Sequence, residues 1–145
     1  MVRAILMAAA FLAMLLPAAA TELVPATLYK NPSCKCCDGY ANYLRSNGFR
    51  VTVIEHPNMT LIKQKHGVRD DLESCHTVLV DGYVVEGHVP VGAIRRLLTE
   101  RPAIKGIALP GMPGGSPGMS GTKDGPFEIL SIGDKGGTPA VFAAE

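Results

Sequence analysis

Residues 34–37 read C-K-C-C, and the chain has only one other cysteine, Cys75. Three thiols this close cannot each have a useful structural partner. A bridge between neighbours Cys36 and Cys37 distorts the backbone. A bridge from Cys34 to either closes a tiny loop that constrains little of the unfolded chain. A structural bridge from one of them to Cys75 stays open, yet it leaves two thiols together. Cys34 and Cys37 have the C-x-x-C spacing of a redox pair. The inserted Cys36 offers such a pair wrong partners, whereas a soft metal ion gains from each added thiolate.

The flanking residues say where the cluster sits. "ATLYK" (26–30) has strand chemistry, and Asn31-Pro32-Ser33 turns the chain. From Cys36 the pattern turns helical, with Cys37, Tyr40, Ala41 and Leu44 on one face and Asn47-Gly48 as the stop. "FRVTVIE" (49–55) alternates as a strand, and a short helix is predicted over about residues 60–66. "HTVLVDGYVVEGHV" (76–89) is two β runs joined by Asp81-Gly82, a hairpin signal. "PVGAIRRLLTERP" (90–102) reads as a helix with Pro90 in its first turn and Ile94, Leu97 and Leu98 as the buried stripe.

The order β-α-β-α-β-β-α predicts an α/β, thioredoxin-like fold, a central mixed β-sheet flanked by helices. The cluster then lies at a helix N-terminus, which favours thiolates. Residues 106–126 are dominated by Gly, Pro and Ser and read as an extended loop without a core of its own. Residues 127–132 are expected to return as a short strand. The rest reads as a loosely held tail, with docking of Val141-Phe142 as the alternative.

Residues 1–20 carry Arg3, an apolar run and a small-residue A-x-A ending, the pattern of a secretory signal peptide. The run is short beside the roughly 20 residues of a membrane span, so no span is expected once the leader is cleaved. Removing it takes away one base and no acid. The 14 Lys and Arg then fall to match the 13 Asp and Glu, which gives no footing for nucleic acid. Three divisions follow: a leader over 1–20, a metal-binding domain over 21–105, and a Gly/Pro/Met-rich loop and extension over 106–145 packed on the same domain. The expected location is the periplasm.

In such a fold the loop before the hairpin approaches the tip of the first helix. That brings Cys75 and His76 toward Cys34, Cys36 and Cys37. Four thiolates and an imidazole can hold one metal ion or a thiolate-bridged cluster, with Cu(I) the soft ion favoured and zinc the alternative. For Cys75 alone the plainer reading is a buried core cysteine. His88 stands between a loop histidine and a metal or supporting role. Met112 and Met119 are either incidental to a flexible loop or a thioether arm that covers or feeds a soft-metal site. His56 and His66 read as structural, His66 through its place near a helix C-terminus.

"YKNPSCKCCDGYANYLRSNGFRV", "ESCHTVLVDGYVVEGHVP" and "GIALPGMPGGSPGM", in this order, resemble the CopG-type family of exported copper-resistance proteins. The likeness spans about residues 29–119, and its motifs are specific jointly rather than singly. It implies a thioredoxin-like fold and copper held as Cu(I) in a multi-copper thiolate centre. It carries ligand roles onto Cys34, Cys36, Cys37 and Cys75, and places His76, His88, Met112 and Met119 in family motifs. It also implies a part in periplasmic copper tolerance alongside other periplasmic copper-handling proteins, and redox interconversion of copper. Ordinary thioredoxins carry a cis-proline where this chain has "SCHT", so their peptide-docking site is replaced by ligands. Two rival functions remain: a thiol–disulfide oxidoreductase with Cys34 attacking and Cys37 resolving, and a zinc–thiolate structural domain.

Overall fold

The computed structural model describes residues 22–133 and 137–145; the expected leader over 1–20 lies outside them. The elements run β1 (Val24–Lys30), α1 (Lys35–Ser46), β2 (Phe49–Glu55), α2 (Met59–Lys65), a 3-10 turn (Asp70–Leu72), β3 (His76–Val80), β4 (Tyr83–Glu86), α3 (Val91–Glu100), β5 (Gly106–Ala108), β6 (Glu128–Ile132) and β7 (Val141–Ala144). They form one mixed sheet in the order β2-β1-β3-β4-β5-β6-β7. β1 runs parallel to β2 and antiparallel to β3, and β4 runs parallel to β5. Among the described residues no helix is long and apolar enough to cross a membrane.

Alternation along the strands sorts side chains onto two faces. Ala26, Leu28, Val78, Val80 and Val85 meet Cys37, Tyr40, Ala41 and Leu44 of α1 and Ala93, Ile94 and Leu97 of α3 in the main core. The face of α1 read from its periodicity is the buried one. Val84, Ala108 and Ile132 turn the other way and pack with Val68 and Leu72 in a smaller core. The β3–β4 hairpin turns at Asp81 (φ 46°) and Gly82 (φ 84°), the positive dihedrals that a two-residue turn requires.

In the C-terminal third the strand expected over 127–132 forms as β6, and the docked alternative for Val141-Phe142 holds, but the loop expectation fails in part. Residues 106–126 are not loop throughout: β5 is fully buried, and Leu109 follows it into the core. A three-residue strand beginning with glycine is too short to show periodicity. Gly106 is required there because a Cβ would lie 1.9 Å from the Val84 carbonyl oxygen across the ladder. The last residues are not loosely held either. β7 pairs antiparallel with β6, Glu145 exchanges two backbone hydrogen bonds with Phe127, and Arg96 lies 4.6 Å over the Phe142 ring.

Replacing Gly106 with Ala is expected to force β4 and β5 apart, at about 1–3 kcal/mol or more. Urea unfolding of Gly106→Ala against the same change at Gly125, where a Cβ meets nothing within 4 Å, checks this. Equal midpoints for the two variants would refute the packing argument.

Candidate metal centre

The chain makes this site where β1 ends and β3 begins. Antiparallel pairing sets Lys30 opposite His76, so the residues after β1 stand beside those before β3. After β1 the Asn31 side chain accepts from the Ser33 amide and its carbonyl from the Cys34 amide, a tight turn that delivers Cys34 as the N-cap of α1. Cys36 and Cys37 then occupy the first helical turn, near the positive end of the helix dipole. The buried Lys30 ammonium donates to the Cys34 carbonyl and pairs with Asp38 at 2.9 Å and Glu55 at 3.5 Å. It ties the end of β1 to α1 and β2.

Four sulfurs converge. Cys34 and Cys37 are joined by a disulfide with Cα atoms 5.5 Å apart, and Cys36 and Cys75 are free. Cys36 Sγ lies 3.4 Å from Cys34 Sγ and 3.7 Å from Cys75 Sγ, and Cys75 Sγ lies 3.7 Å from Cys37 Sγ. Together the four sulfurs lie within 4.8 Å of one another. A second group of donors overlaps the first: Cys75, His76 and His88 meet the same distance limit. Cys75 belongs to both.

His88 is fully buried just beyond β4. Its Nδ1 lies 2.7 Å from the Pro117 carbonyl oxygen, which can only accept, so Nδ1 carries the proton. Its Nε2 lone pair therefore faces Cys75 Sγ at 2.9 Å. A carbonyl on one ring nitrogen with the other left open is how proteins orient an imidazole toward a metal. Burial lowers the His88 pKa. Burial, then the nearby Cys36, raises the Cys75 thiol to about 12. Both shifts favour a neutral thiol donating to a neutral imidazole, a proton that a thiophilic metal would displace.

His76 is also fully buried, with Nδ1 3.4 Å from Cys75 Sγ and Nε2 without a hydrogen-bond partner. An orphaned buried ring nitrogen costs about 1–3 kcal/mol. Burial first, then His88 and Lys63, holds this imidazole well below its ordinary pKa. Such a group is poorly placed to stabilise the fold and well placed to give a lone pair. Tyr40, buried and anchored by its hydroxyl to the Val89 carbonyl at 2.8 Å, packs against both rings at 4.5 Å and 5.4 Å and fixes their planes. Two soft sulfurs, two more held in a reducible bond, and two oriented imidazoles suit a thiophilic metal ion.

The loop over residues 109–126 covers one side of the centre. Gly118 (φ 81°) presses its backbone on α1, where a Cβ would lie 2.6 Å from the Tyr40 nitrogen. This close approach carries the Pro117 carbonyl to His88. The structure thus gathers Cys34, Cys36, Cys37, Cys75, His76 and His88. Met119 is half-buried on the covering loop, and Met112, 57% exposed, lies beside Gly111. His56 and His66 stand outside both donor groups. His66 stands at the C-cap of α2, as its sequence position suggests, and burial, then Lys65 and Lys105, lower its pKa.

Behind the centre lies a feature the sequence reading passed over. Glu86 is fully buried on the opposite face of β4 and pairs with Lys63 of α2. It accepts from the Ser74 amide at 2.7 Å and the Thr77 hydroxyl at 2.7 Å. Burial pushes its carboxyl up, while Lys63, Thr77 and Ser74 pull it back. One carboxylate thereby fixes the residues on both sides of Cys75 and His76. An acid within an otherwise apolar β run was the available signal.

Residues 72–119 match a family described as a protein of unknown function, DUF411, a span that includes Cys75 and His88 but not residues 34–37. Two solved structures of copper resistance protein CopG, form 2 and form 1, resemble the chain with TM-scores of 0.78 and 0.77. Each is 36% identical and covers 86% of this chain, and the match takes in 99% and 98% of theirs. No curated protein matches the chain.

Two expectations follow from the buried charges. Lys63→Met strands the Glu86 carboxylate and is expected to cost about 3–5 kcal/mol in urea unfolding, with Lys63→Met/Glu86→Gln recovering most of it. If the double variant is no more stable than the single one, the pair is not the source of the loss. For His76 the unfolded chain binds a proton below about pH 6.5 that the folded chain refuses. Stability of the metal-free protein should therefore fall as pH drops through that value, by about 1.4 kcal/mol per unit for this imidazole. His76→Asn should flatten the slope between about pH 7 and 5, and an unchanged slope counts against it.

Proposed function

The chain belongs to the CopG family of copper resistance proteins, and from that membership we propose that it binds copper as cargo, holding several Cu(I) ions in a thiolate centre. The observation that carries this is the meeting of four sulfurs and two oriented imidazoles within a few ångströms. Once the bridge is reduced, Cys34, Cys36, Cys37 and Cys75 act as thiolate ligands, and cysteine sulfur can bridge neighbouring ions. His88 gives Nε2 and His76 gives Nδ1 at the edge defined by Cys75. Met119 and Met112 add thioethers on the covering loop, the more exposed Met112 as the outer one. Thioether and thiolate donors favour Cu(I) over harder ions.

The leader pattern supports export, so the protein works in the periplasm, in copper tolerance, exchanging copper with other copper-handling proteins there. The sheet order β2-β1-β3-β4 supports the thioredoxin-like description of residues 21–105, with 106–145 as an extension of the same domain. Redox interconversion of copper belongs to this reading, since an oxidisable dithiol adjoins the imidazoles.

A second reading has one observation in its favour, the Cys34–Cys37 bridge itself. A thiol–disulfide oxidoreductase would use Cys34 as the attacking thiol, half-buried at the helix tip, and the buried Cys37 to resolve. Catalysed reduction of insulin disulfides that survives loss of both Cys36 and Cys75 would move this reading to the front.

Anaerobic loading of the reduced protein with Cu(I), followed by elemental analysis and copper-edge X-ray absorption, tests the copper reading. Several coppers per chain, sulfur scatterers and a short copper–copper vector are expected. Cys36→Ser should lower the copper count sharply. Unchanged stoichiometry in that variant would sink the multinuclear centre.

A further inference from the structure

We propose that the Cys34–Cys37 disulfide is a redox gate on the capacity of the centre: reduced, the centre holds several soft ions, and bridged, it is cut to a single-ion site made by Cys75, His76 and His88. The inference rests on the copper reading above and concerns the regulation of that same site.

The two overlapping donor groups carry it. The sulfur group needs Cys34 and Cys37 as thiolates, and the bridge removes both charges and leaves two weak donors. The second group uses neither of them. Its donor separations, 3.4 Å from Cys75 Sγ to His76 Nδ1 and 2.9 Å to His88 Nε2, suit ligands that each reach one ion at about 2.0–2.3 Å. Its supports are also independent of the bridge: Pro117 orients His88, Tyr40 holds both rings, and Glu86 fixes Ser74 and Thr77. Cys36 remains free beside Cys75 at 3.7 Å but belongs to the sulfur group alone. Opening or closing the bridge therefore changes one group and spares the other.

The step balances with an external disulfide R–S–S–R as oxidant. The Cys34 thiolate attacks one of its sulfurs, forming a mixed disulfide and releasing one R–S⁻. The Cys37 thiolate attacks the Cys34 sulfur, forming the internal bridge and releasing the second R–S⁻. Two electrons pass from the cysteine pair to the external disulfide, solvent protonates the two leaving thiolates, and Cu(I) ions bound to the pair leave as Cu(I). An external dithiol reverses the step. The access this needs is present, because Cys34 is half-buried while Cys37 is fully buried.

Silver(I) is the probe, a soft ion that replaces Cu(I) without exchanging electrons with the disulfide. The wild-type chain is prepared in both states, verified by four or two alkylatable thiols, loaded with Ag(I) and counted by native mass spectrometry. Several ions are expected on the reduced chain and about one on the bridged chain. His88→Ala should remove the ion from the bridged chain. Reduced Cys34→Ser/Cys37→Ser should load like the bridged wild type. Equal counts in the two states overturn the gate and leave the copper reading standing. A reduced chain that retains neither Ag(I) nor Cu(I) overturns the copper reading and the gate with it. Retention of the bridged-state ion in His88→Ala overturns the assignment of the single-ion site.

Discussion

The centre depends on one register. Because Lys30 of β1 stands opposite His76 of β3, the turn that leaves one strand faces the segment that enters the other. A slip of one residue would turn His76 to the other face of the sheet and separate it from Cys75's partners. Around this pairing the chain places its cations deliberately. Lys30 gathers the Cys34 carbonyl, Asp38 and Glu55, so the strand end, the helix start and the neighbouring strand are held by one ammonium.

The two faces of the sheet divide the work. On the α1 face, Tyr40, His76, His88 and the cysteines come together, and a neutral thiol meets a neutral imidazole. On the α2 face, Lys63 and Glu86 are buried together and reach the Ser74 amide and the Thr77 hydroxyl. A buried pair of this kind adds little net stability, and breaking it is costly. Its return here is geometric, since it restrains the backbone on both sides of Cys75 and His76. The candidate metal donors are thus held from behind by groups that never touch them.

The Gly/Pro-rich loop completes the centre by backbone contact. Gly118 against Tyr40 permits an approach that a side chain would block, and the Pro117 carbonyl then selects the tautomer of His88. The same loop is anchored by the Gly111 amide on the Glu73 carbonyl, beside the segment that Glu86 holds. Cys75 is where these restraints and the two donor groups meet. The bridge engages two sulfurs of one donor group and none of the other.

The sequence alone determined the elements whose signals are local. The α1 face, the Asp81-Gly82 hairpin, the α3 stripe and the gathering of cysteines at a helix N-terminus all follow from periodicity, turn chemistry and spacing. Cys75 and His76 could be placed near the cluster because the order of elements limits how such a sheet can close. Only tertiary structure decided the rest. β5 and β7 form because neighbouring strands offer them partners, and no three- or four-residue run announces that. His88 turns Nε2 toward Cys75 because a carbonyl 29 residues away fixes its proton. The partnership of Lys63 and Glu86 is 23 residues long in sequence and belongs to no periodic pattern. Local propensity acts over a few residues, whereas burial, tautomer and ion pairing depend on which distant groups arrive at the same place.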